Sequence, residues 1–142
     1  MSTEDGPAEL TVRPIGRVAS SLVDPADAPR QGDEAPSSAD LVIDARLAPA
    51  LDGIEVGDRL VVLTWLHLAD REELTVHPRG DLRRPAVGVL ATRSPGRPNP
   101  IGLHEVTVER VAGTTVTVQG LEAVDGTPVV DLKPVLGPID ER

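Results

Sequence analysis

The residues best suited to chemistry are concentrated in one stretch, residues 88–103, which reads GVLATRSPGRPNPIGL. It contains three prolines and three glycines, and Arg93, Arg97 and Asn99 supply hydrogen-bond donors. Proline fixes its own φ and restricts the residue before it, so this stretch cannot be a helix and forms a stiff loop. A stiff loop that presents several polar groups is typical of a segment that holds a ligand.

Basic residues cluster around this loop, although the chain as a whole is acidic. The formal net charge is −9, whereas residues 79–97 contain five arginines and one aspartate, a local charge of +4. The overall acidity argues against a protein that coats nucleic acid non-specifically. The local positive charge favours an anionic ligand or one RNA loop, and an ordinary solvated arginine cluster is the alternative.

Trp65 and His67 are a second candidate group, because they lie two residues apart in an apolar run. If that run is a strand, the two side chains share a face and could form a stacking wall for a base or an adenine ring. The alternative for His67 is a hydrogen-bonded core histidine.

Asp131 and Lys133 are also two residues apart, in an extended segment near the end of the chain, and therefore lie on the same side. They could orient a substrate amine or contact a carboxylate. A surface ion pair that contributes little to stability is the alternative.

Several classes of site are absent from the sequence. No glycines occur as G-x-G, and there is no Walker loop or G-x-S-x-G motif, which excludes a dinucleotide fingerprint and a doubly wound methyltransferase. There is no cysteine, so thiolate chemistry and disulfides are excluded. The three histidines lack the spacing of zinc ligands, so no metal site is predicted.

The elements that position these residues are predicted to be short strands separated by turns. Apolar patterns and turn residues predict strands over residues 10–18, 39–47, 59–68, 87–91, 103–111, 114–119 and 128–136. The strand 59–68 is apolar on both faces and is expected to be central. Residues 73–76 are expected to pair with the strand 59–68. No amphipathic helix is visible, so the sequence predicts an all-β fold, a small closed or nearly closed β-barrel with long loops.

One domain is expected over residues 1–142, with residues 1–9 frayed and a functional or mobile loop over residues 20–39. The core must be built from valine, leucine, isoleucine and alanine, because Trp65 is the single aromatic residue. No apolar run approaches the length of a membrane span, and the acidic N-terminus does not resemble a signal peptide. We therefore expect a cytoplasmic protein without a membrane partner.

Two motifs together resemble the signature of the TsaA-like family, which includes the tRNA N6-threonylcarbamoyladenosine methyltransferases. They are ATRSPGRPNPIGL at residues 91–103 and DGTPVVDLKP at residues 125–134. Three shorter fragments in the family's order extend the resemblance over most of the chain: PIG at 14–16, APRQ at 28–31 and WLH at 65–67. The chain would be a short member that contains the barrel alone.

The resemblance implies a small β-barrel that binds S-adenosylmethionine, as a homodimer whose interface helps to form the site. It also implies methyl transfer to the exocyclic nitrogen of a modified adenosine beside a tRNA anticodon. Asp131 would help to remove the proton of the methylated amine, and Lys133 would orient an anionic substituent. The substrate would be contacted by Arg30, Gln31, Trp65 and His67. The cofactor would be contacted by Arg93, Ser94, Pro95, Arg97, Pro98, Asn99, Pro100, Leu103 and His104.

The chain departs from the family pattern where aromatic residues are usual, and it has Val135, Gly96 and Leu66 at those positions. The loss of stacking platforms affects the adenosine substrate more than the cofactor. Two other functions therefore stay open. One is methyl transfer from the same cofactor to a small amine or nucleoside, and the other is a non-catalytic module that binds S-adenosylmethionine or a nucleotide.

Overall fold

Residues 8–21 and 38–137 are described by a computed structural model, and six of their strands form a closed antiparallel barrel. The barrel order is β1–β2–β7–β6–β3–β8, and β1 closes the ring by pairing with both β2 and β8. This confirms the predicted all-β barrel. In chain order the strands are β1 (Gly16–Ala19), β2 (Ser38–Ile43), β3 (Arg59–Trp65), β4 (Thr75–Val76), β5 (Val87–Gly88), β6 (Ile101–Ala112), β7 (Thr115–Gln119) and β8 (Pro128–Pro134).

The barrel interior is filled by aliphatic side chains, as the composition predicts. Alternate residues of each strand point inward, and the most buried of them have no exposed surface: Val18, Leu41, Val62, Val116, Val118 and Val129. Trp65, the single aromatic residue, is half-buried and lies outside this core. The large side chain that a small barrel would ordinarily bury is therefore available at the surface.

Gly16 lies where β1 and β2 approach most closely. An added Cβ would overlap the carbonyl oxygen of Val42 and lie 2.8 Å from the Cα of Ile43. We expect Gly16→Ala to lower the free energy of unfolding by about 1–3 kcal/mol, the usual cost of overpacking. Thermal unfolding measures this against the control Gly88→Ala, whose added Cβ would meet nothing within 4 Å. Equal stability of the two variants would contradict the prediction.

Several predicted strands end earlier or begin later than expected. The first begins at Gly16 and not at residue 10, because Pro14 cannot donate to a β-ladder. The second ends at Ile43, because the Asp44 carboxylate accepts a hydrogen bond from the Arg46 backbone N–H and begins a 3₁₀ helix over Ala45–Leu51. The third ends at Trp65 and not at residue 68.

The strand predicted over residues 87–91 is wrong in its second half, because β5 ends at Gly88 and a 3₁₀ helix follows over Val89–Ala91. The strand predicted over residues 128–136 ends at Pro134.

The expected pairing of residues 73–76 with β3 is wrong. β4 pairs with β5 in a separate two-stranded sheet, and both edges of β3 are occupied, by β6 and β8. The predicted hairpin of residues 103–111 and 114–119 is confirmed as β6 and β7, which turn at Gly113 with a φ of 61°. A second turn, at Asp125 and Gly126, precedes β8, and Gly126 has a φ of 87°.

Parts of two predictions fall outside the described residues, namely residues 1–7 of the frayed terminus and residues 22–37 of the long loop. None of the helices in the described ranges has the length and hydrophobicity that crossing a membrane requires.

Candidate functional site

The proline-rich loop connects β5 to β6 across one side of the barrel. A 3₁₀ helix, Val89–Ala91, follows β5, and residues 92–100 then run without a helix or strand into Ile101, the first residue of β6. The absence of a helix follows from the three prolines. Pro100 is buried, and its carbonyl oxygen accepts a 2.8 Å hydrogen bond from the Leu66 N–H, which attaches the loop to the end of β3.

The Arg97 side chain holds the loop in shape from within. Its Nε donates to the carbonyl of Ser94 at 2.8 Å, and its Nη2 donates to the carbonyls of Val89, at 2.7 Å, and of Thr92. The Thr92 hydroxyl adds two bonds, one to the Val89 carbonyl and one from the Ser94 N–H. One arginine therefore satisfies three carbonyls of a segment that has no ladder of its own.

Gly96 lies against the segment that follows β3. An added Cβ at this position would overlap the carboxylate of Glu73, and the neighbouring Arg97 N–H donates to the carbonyl of Asp70 at 3.0 Å. A larger side chain at this position would therefore have to displace the carboxylate of Glu73.

A cavity of about 900 Å³ lies beside the loop, and we call it the loop cavity. Arg93 on its wall is exposed and has no hydrogen bond or ion pair within the described residues. The walls also include Glu122, Thr127 and the apolar residues Ile101 and Val124. No sequence pattern indicated Glu122 or Thr127. The predicted site residues that line it are His67, Arg93, Ser94, Pro95, Arg97, Leu103 and His104.

His104 points into the barrel mouth and lines the loop cavity. Its Nε2 lies 2.9 Å from the hydroxyl oxygen of Thr64, a fully buried residue of β3. Gly102 makes room for this contact, because an added Cβ would lie 2.5 Å from that oxygen and 2.8 Å from the imidazole nitrogen. Burial lowers the pKa of His104 below 6.5, so the ring is neutral at pH 7.

The lowered pKa of His104 predicts a pH dependence of stability. Below pH 6.5 the unfolded chain binds a proton on this imidazole that the folded chain does not bind, so acidification favours unfolding. The stability lost between pH 7 and pH 5 should therefore be smaller in His104→Gln than in the natural chain. The difference in slope is at most about 1.4 kcal/mol per pH unit. Urea unfolding of both proteins across that range tests this, and parallel profiles would contradict it.

A second cavity, of about 730 Å³, lies on the other side of Ile101, which lines both; we call it the tryptophan cavity. Trp65 and Asn99 are the predicted site residues on its wall. Because β3 ends at Trp65, strand alternation does not extend to His67, and the two side chains line different cavities.

Arg71 lines the tryptophan cavity and was not predicted from the sequence. Its guanidinium carbon lies 5.0 Å from the centroid of the Trp65 ring, its Nε donates to the Pro98 carbonyl at 2.7 Å, and its Nη2 donates to the Asn99 Oδ1 at 3.0 Å. It lies in an acidic run, between Asp70 and Glu72, which gave no sign of a role at the loop.

Asp131 and Lys133 lie on β8, opposite Leu63 and Val61 of β3. The Lys133 Nζ and the Asp131 Oδ2 form an ion pair at 3.1 Å, with side chains 64% and 44% exposed. Neither residue lines the loop cavity or the tryptophan cavity. Their place on one side of the strand agrees with the sequence, and their catalytic roles stay a prediction.

The remaining predicted residues have simple positions. Pro98 is exposed and contributes its carbonyl to Arg71, whereas Arg30 and Gln31 lie outside the described residues. Within residues 8–21 and 38–137, no three histidine, aspartate or glutamate side chains are grouped closely enough to hold a metal ion.

Comparison with known proteins shows related chains of similar length. A Methanothermobacter thermautotrophicus protein named "Probable S-adenosyl-L-methionine-binding protein" is 42% identical, over 93% of this chain and 94% of its own. An Archaeoglobus fulgidus protein named "S-adenosyl-L-methionine-binding protein" is 39% identical, over 92% of this chain and 93% of its own.

The fold also matches a crystal structure of TrmO from Pseudomonas aeruginosa, with a TM-score of 0.73 and 30% identity over 94% of this chain. This chain spans about three-fifths (61%) of that structure's length. The family model described as the tRNA-methyltransferase O N-terminal domain matches residues 17–141. These matches confirm the resemblance identified from the loop motif, and the chain belongs to the tRNA-methyltransferase O N-terminal domain family, the TsaA-like family.

Proposed function

We propose that the protein is an S-adenosylmethionine-dependent methyltransferase that binds its cofactor in the loop cavity. One observation carries the proposal: Arg93, Ser94, Pro95 and Arg97 of the loop motif line a single cavity together with His104, in a chain whose relatives are named for binding this cofactor. When bound, the cofactor would supply a methyl group from its sulfonium: the acceptor nitrogen bonds to the methyl carbon, the carbon–sulfur bond breaks to leave a neutral thioether, and the nitrogen loses a proton. Catalysis then depends mainly on holding the two reactants in line.

The residues of the loop cavity fit such a molecule. Its volume lies within the range of sites that enclose a small organic ligand, about 300–1,000 Å³. Arg93 can bind a carboxylate, Glu122 can lie near an ammonium or sulfonium, and Ile101 and Val124 can pack against an adenine or ribose. Arg97, although it lines the same cavity, directs its hydrogen bonds to the backbone of the loop.

For the methyl acceptor we propose N6 of threonylcarbamoyl-modified adenosine next to the anticodon of a tRNA, in the cytoplasm. The family description supports this choice, and so does the positive charge of residues 79–97 on an acidic chain. A small amine or nucleoside is the second candidate, because Gly96 and Leu66 stand where the family has aromatic residues. A protein that binds the cofactor without catalysis is the third.

We also propose a homodimer. Asp131 and Lys133 lie on the outer surface of β8 and line neither cavity, so they could complete a site only from a neighbouring protomer. Apolar side chains near them on the outer surface support this arrangement, since Ile101 and Leu103 of β6 are each 48% exposed.

A binding and transfer experiment tests these proposals together. Calorimetry should detect S-adenosylmethionine binding, and Arg93→Ala should weaken it by about tenfold or more, the value of one hydrogen bond to a charged group. A labelled-methyl assay on unmodified tRNA, threonylcarbamoylated tRNA and small amines then separates the three functions. The absence of cofactor binding would refute all three, and binding without transfer to any RNA would leave the second or third.

A further inference from the structure

The tryptophan cavity contains the single aromatic side chain of the protein. Phenylalanine and tyrosine are absent, yet Trp65 is placed at the end of β3, half-buried, with its ring on the cavity wall. Burying an indole stabilises a fold by more than burying a valine, so its position outside an all-aliphatic core favours a role in contact with a ligand.

Arg71 is fixed on this indole by two hydrogen bonds that leave part of the guanidinium unused. Nε and Nη2 donate to the Pro98 carbonyl and the Asn99 side chain, which orient the guanidinium 5.0 Å from the ring centroid. Nη1 makes no hydrogen bond among the described residues. A guanidinium fixed in this way keeps donors for an anion and loses little entropy when the anion binds.

The other walls are mainly apolar. Ile101, Pro128 and Val130 form one part, the segment of residues 8–14 forms another, and Glu9 is the one acidic residue among the described residues of the wall. The volume of about 730 Å³ is sufficient for a nucleotide-sized molecule. Ile101 also lines the loop cavity, and Asn99 belongs to the same loop as Arg93, so the two cavities adjoin. A ligand here would lie next to, and not within, the proposed cofactor site.

We propose that the tryptophan cavity binds a nucleotide, with the base against the Trp65 indole and the phosphate on the free donors of Arg71. Stacking of a base on an aromatic side chain contributes about 1–3 kcal/mol, and arginine is the side chain best suited to phosphate. The inference rests on the proposed function only where it identifies this nucleotide as part of the methyl acceptor. The binding itself does not depend on that assignment.

The probe is adenosine 5′-monophosphate, and the reporter is built into the chain, because all intrinsic fluorescence comes from Trp65. Titration should quench this emission to saturation. Adenosine should bind about tenfold more weakly than the monophosphate, the value of a charge-assisted hydrogen bond. In Arg71→Ala the two probes should bind equally, because the side chain that distinguishes them is gone.

Arg46→Ala is the matched control, since Arg46 is an exposed arginine that lines neither cavity and lies outside the basic stretch of residues 79–97. It should keep the natural preference for the monophosphate. Arg71→Ala also loses two contacts to the loop, so the informative quantity is the ratio between the two probes in the same variant. A ratio unchanged by Arg71→Ala would overturn the assignment of the phosphate to Arg71.

A second titration distinguishes this site from the cofactor site. Monophosphate binding should persist when S-adenosylmethionine is present at saturation. Displacement of the monophosphate by the cofactor would overturn the proposal, because both would then occupy one site. If nucleotide binding is observed without methyl transfer to any acceptor, the proposed function fails and this site stands. If transfer occurs and Trp65 is not quenched, the site fails and the function stands.

Discussion

Arg97→Lys should weaken S-adenosylmethionine binding by about 100-fold, although lysine keeps the positive charge. Arg97 reaches three backbone carbonyls through two nitrogens that a rigid plane holds apart. The lysine ammonium is a single point at the end of a flexible stem and cannot reach Ser94 and Val89 with the same geometry. At least two charge-assisted bonds would be lost, and the loop would sample other shapes before it binds a ligand.

Arg93→Lys is the matched control, because Arg93 lies in the same loop but is exposed and makes no bond within the described residues. It should lose less than about tenfold in affinity, since a lysine preserves the point charge. Calorimetry measures both affinities, and amide hydrogen exchange should show faster exchange over residues 92–97 only in Arg97→Lys. Equal losses in the two variants would show that charge, and not loop shape, is what the cofactor requires.

Much of this site could be predicted from the sequence, because proline and strand alternation are local signals. Three prolines at positions 95, 98 and 100 predict a loop without an α-helix, and the structure agrees over residues 92–100, which contain neither helix nor strand. The β6–β7 hairpin follows from alternating valines and threonines on both sides of Gly113. Barrel closure was predicted from the number of short strands, since no other arrangement removes their edges so completely.

The wrong or missing predictions concern contacts between residues that are far apart in the sequence. Residues 73–76 cannot pair with β3, because both of its edges are occupied. The strands that occupy them, β6 and β8, lie about 40 and 70 residues further along the chain. Arg71 is separated from Asn99 by 28 residues and belongs to no motif, so only the fold brings it to the loop. Arg97 is the opposite case, because its position was predicted but its carbonyl partners could not be read from a linear pattern.

The two cavities also change the interpretation of the aromatic residues that the chain lacks. Stacking on a wall shared by Trp65 and His67 was one prediction, yet these residues line different cavities. Arg71 covers part of the Trp65 ring and supplies a second planar group beside it. A cation–π pair of this kind provides a flat surface with a positive edge, which partly replaces a missing second aromatic residue.

Asp131→Ala should reduce methyl transfer by about 100-fold or more and leave S-adenosylmethionine affinity unchanged, if its carboxylate takes up the proton of the acceptor amine. Asp44→Asn is the control, since Asp44 is also an ion-paired carboxylate that lines neither cavity. It should transfer at the natural rate. A natural rate in Asp131→Ala would exclude the role.

Mixing Arg93→Ala with Asp131→Ala tests where Asp131 acts, at S-adenosylmethionine concentrations too low to fill the weakened site of Arg93→Ala. In a homodimer with shared sites, Arg93→Ala and Asp131→Ala protomers combine into a mixed dimer in which one site has both natural residues. Random exchange of equal amounts places half of the protein in mixed dimers, each with one complete site of two, so roughly a quarter of the natural activity should return. If Arg93 and Asp131 of each site instead come from the same protomer, no activity should return, because every site in the mixture then carries one substitution. The exposed position of Asp131, outside both cavities, is the reason to expect recovery.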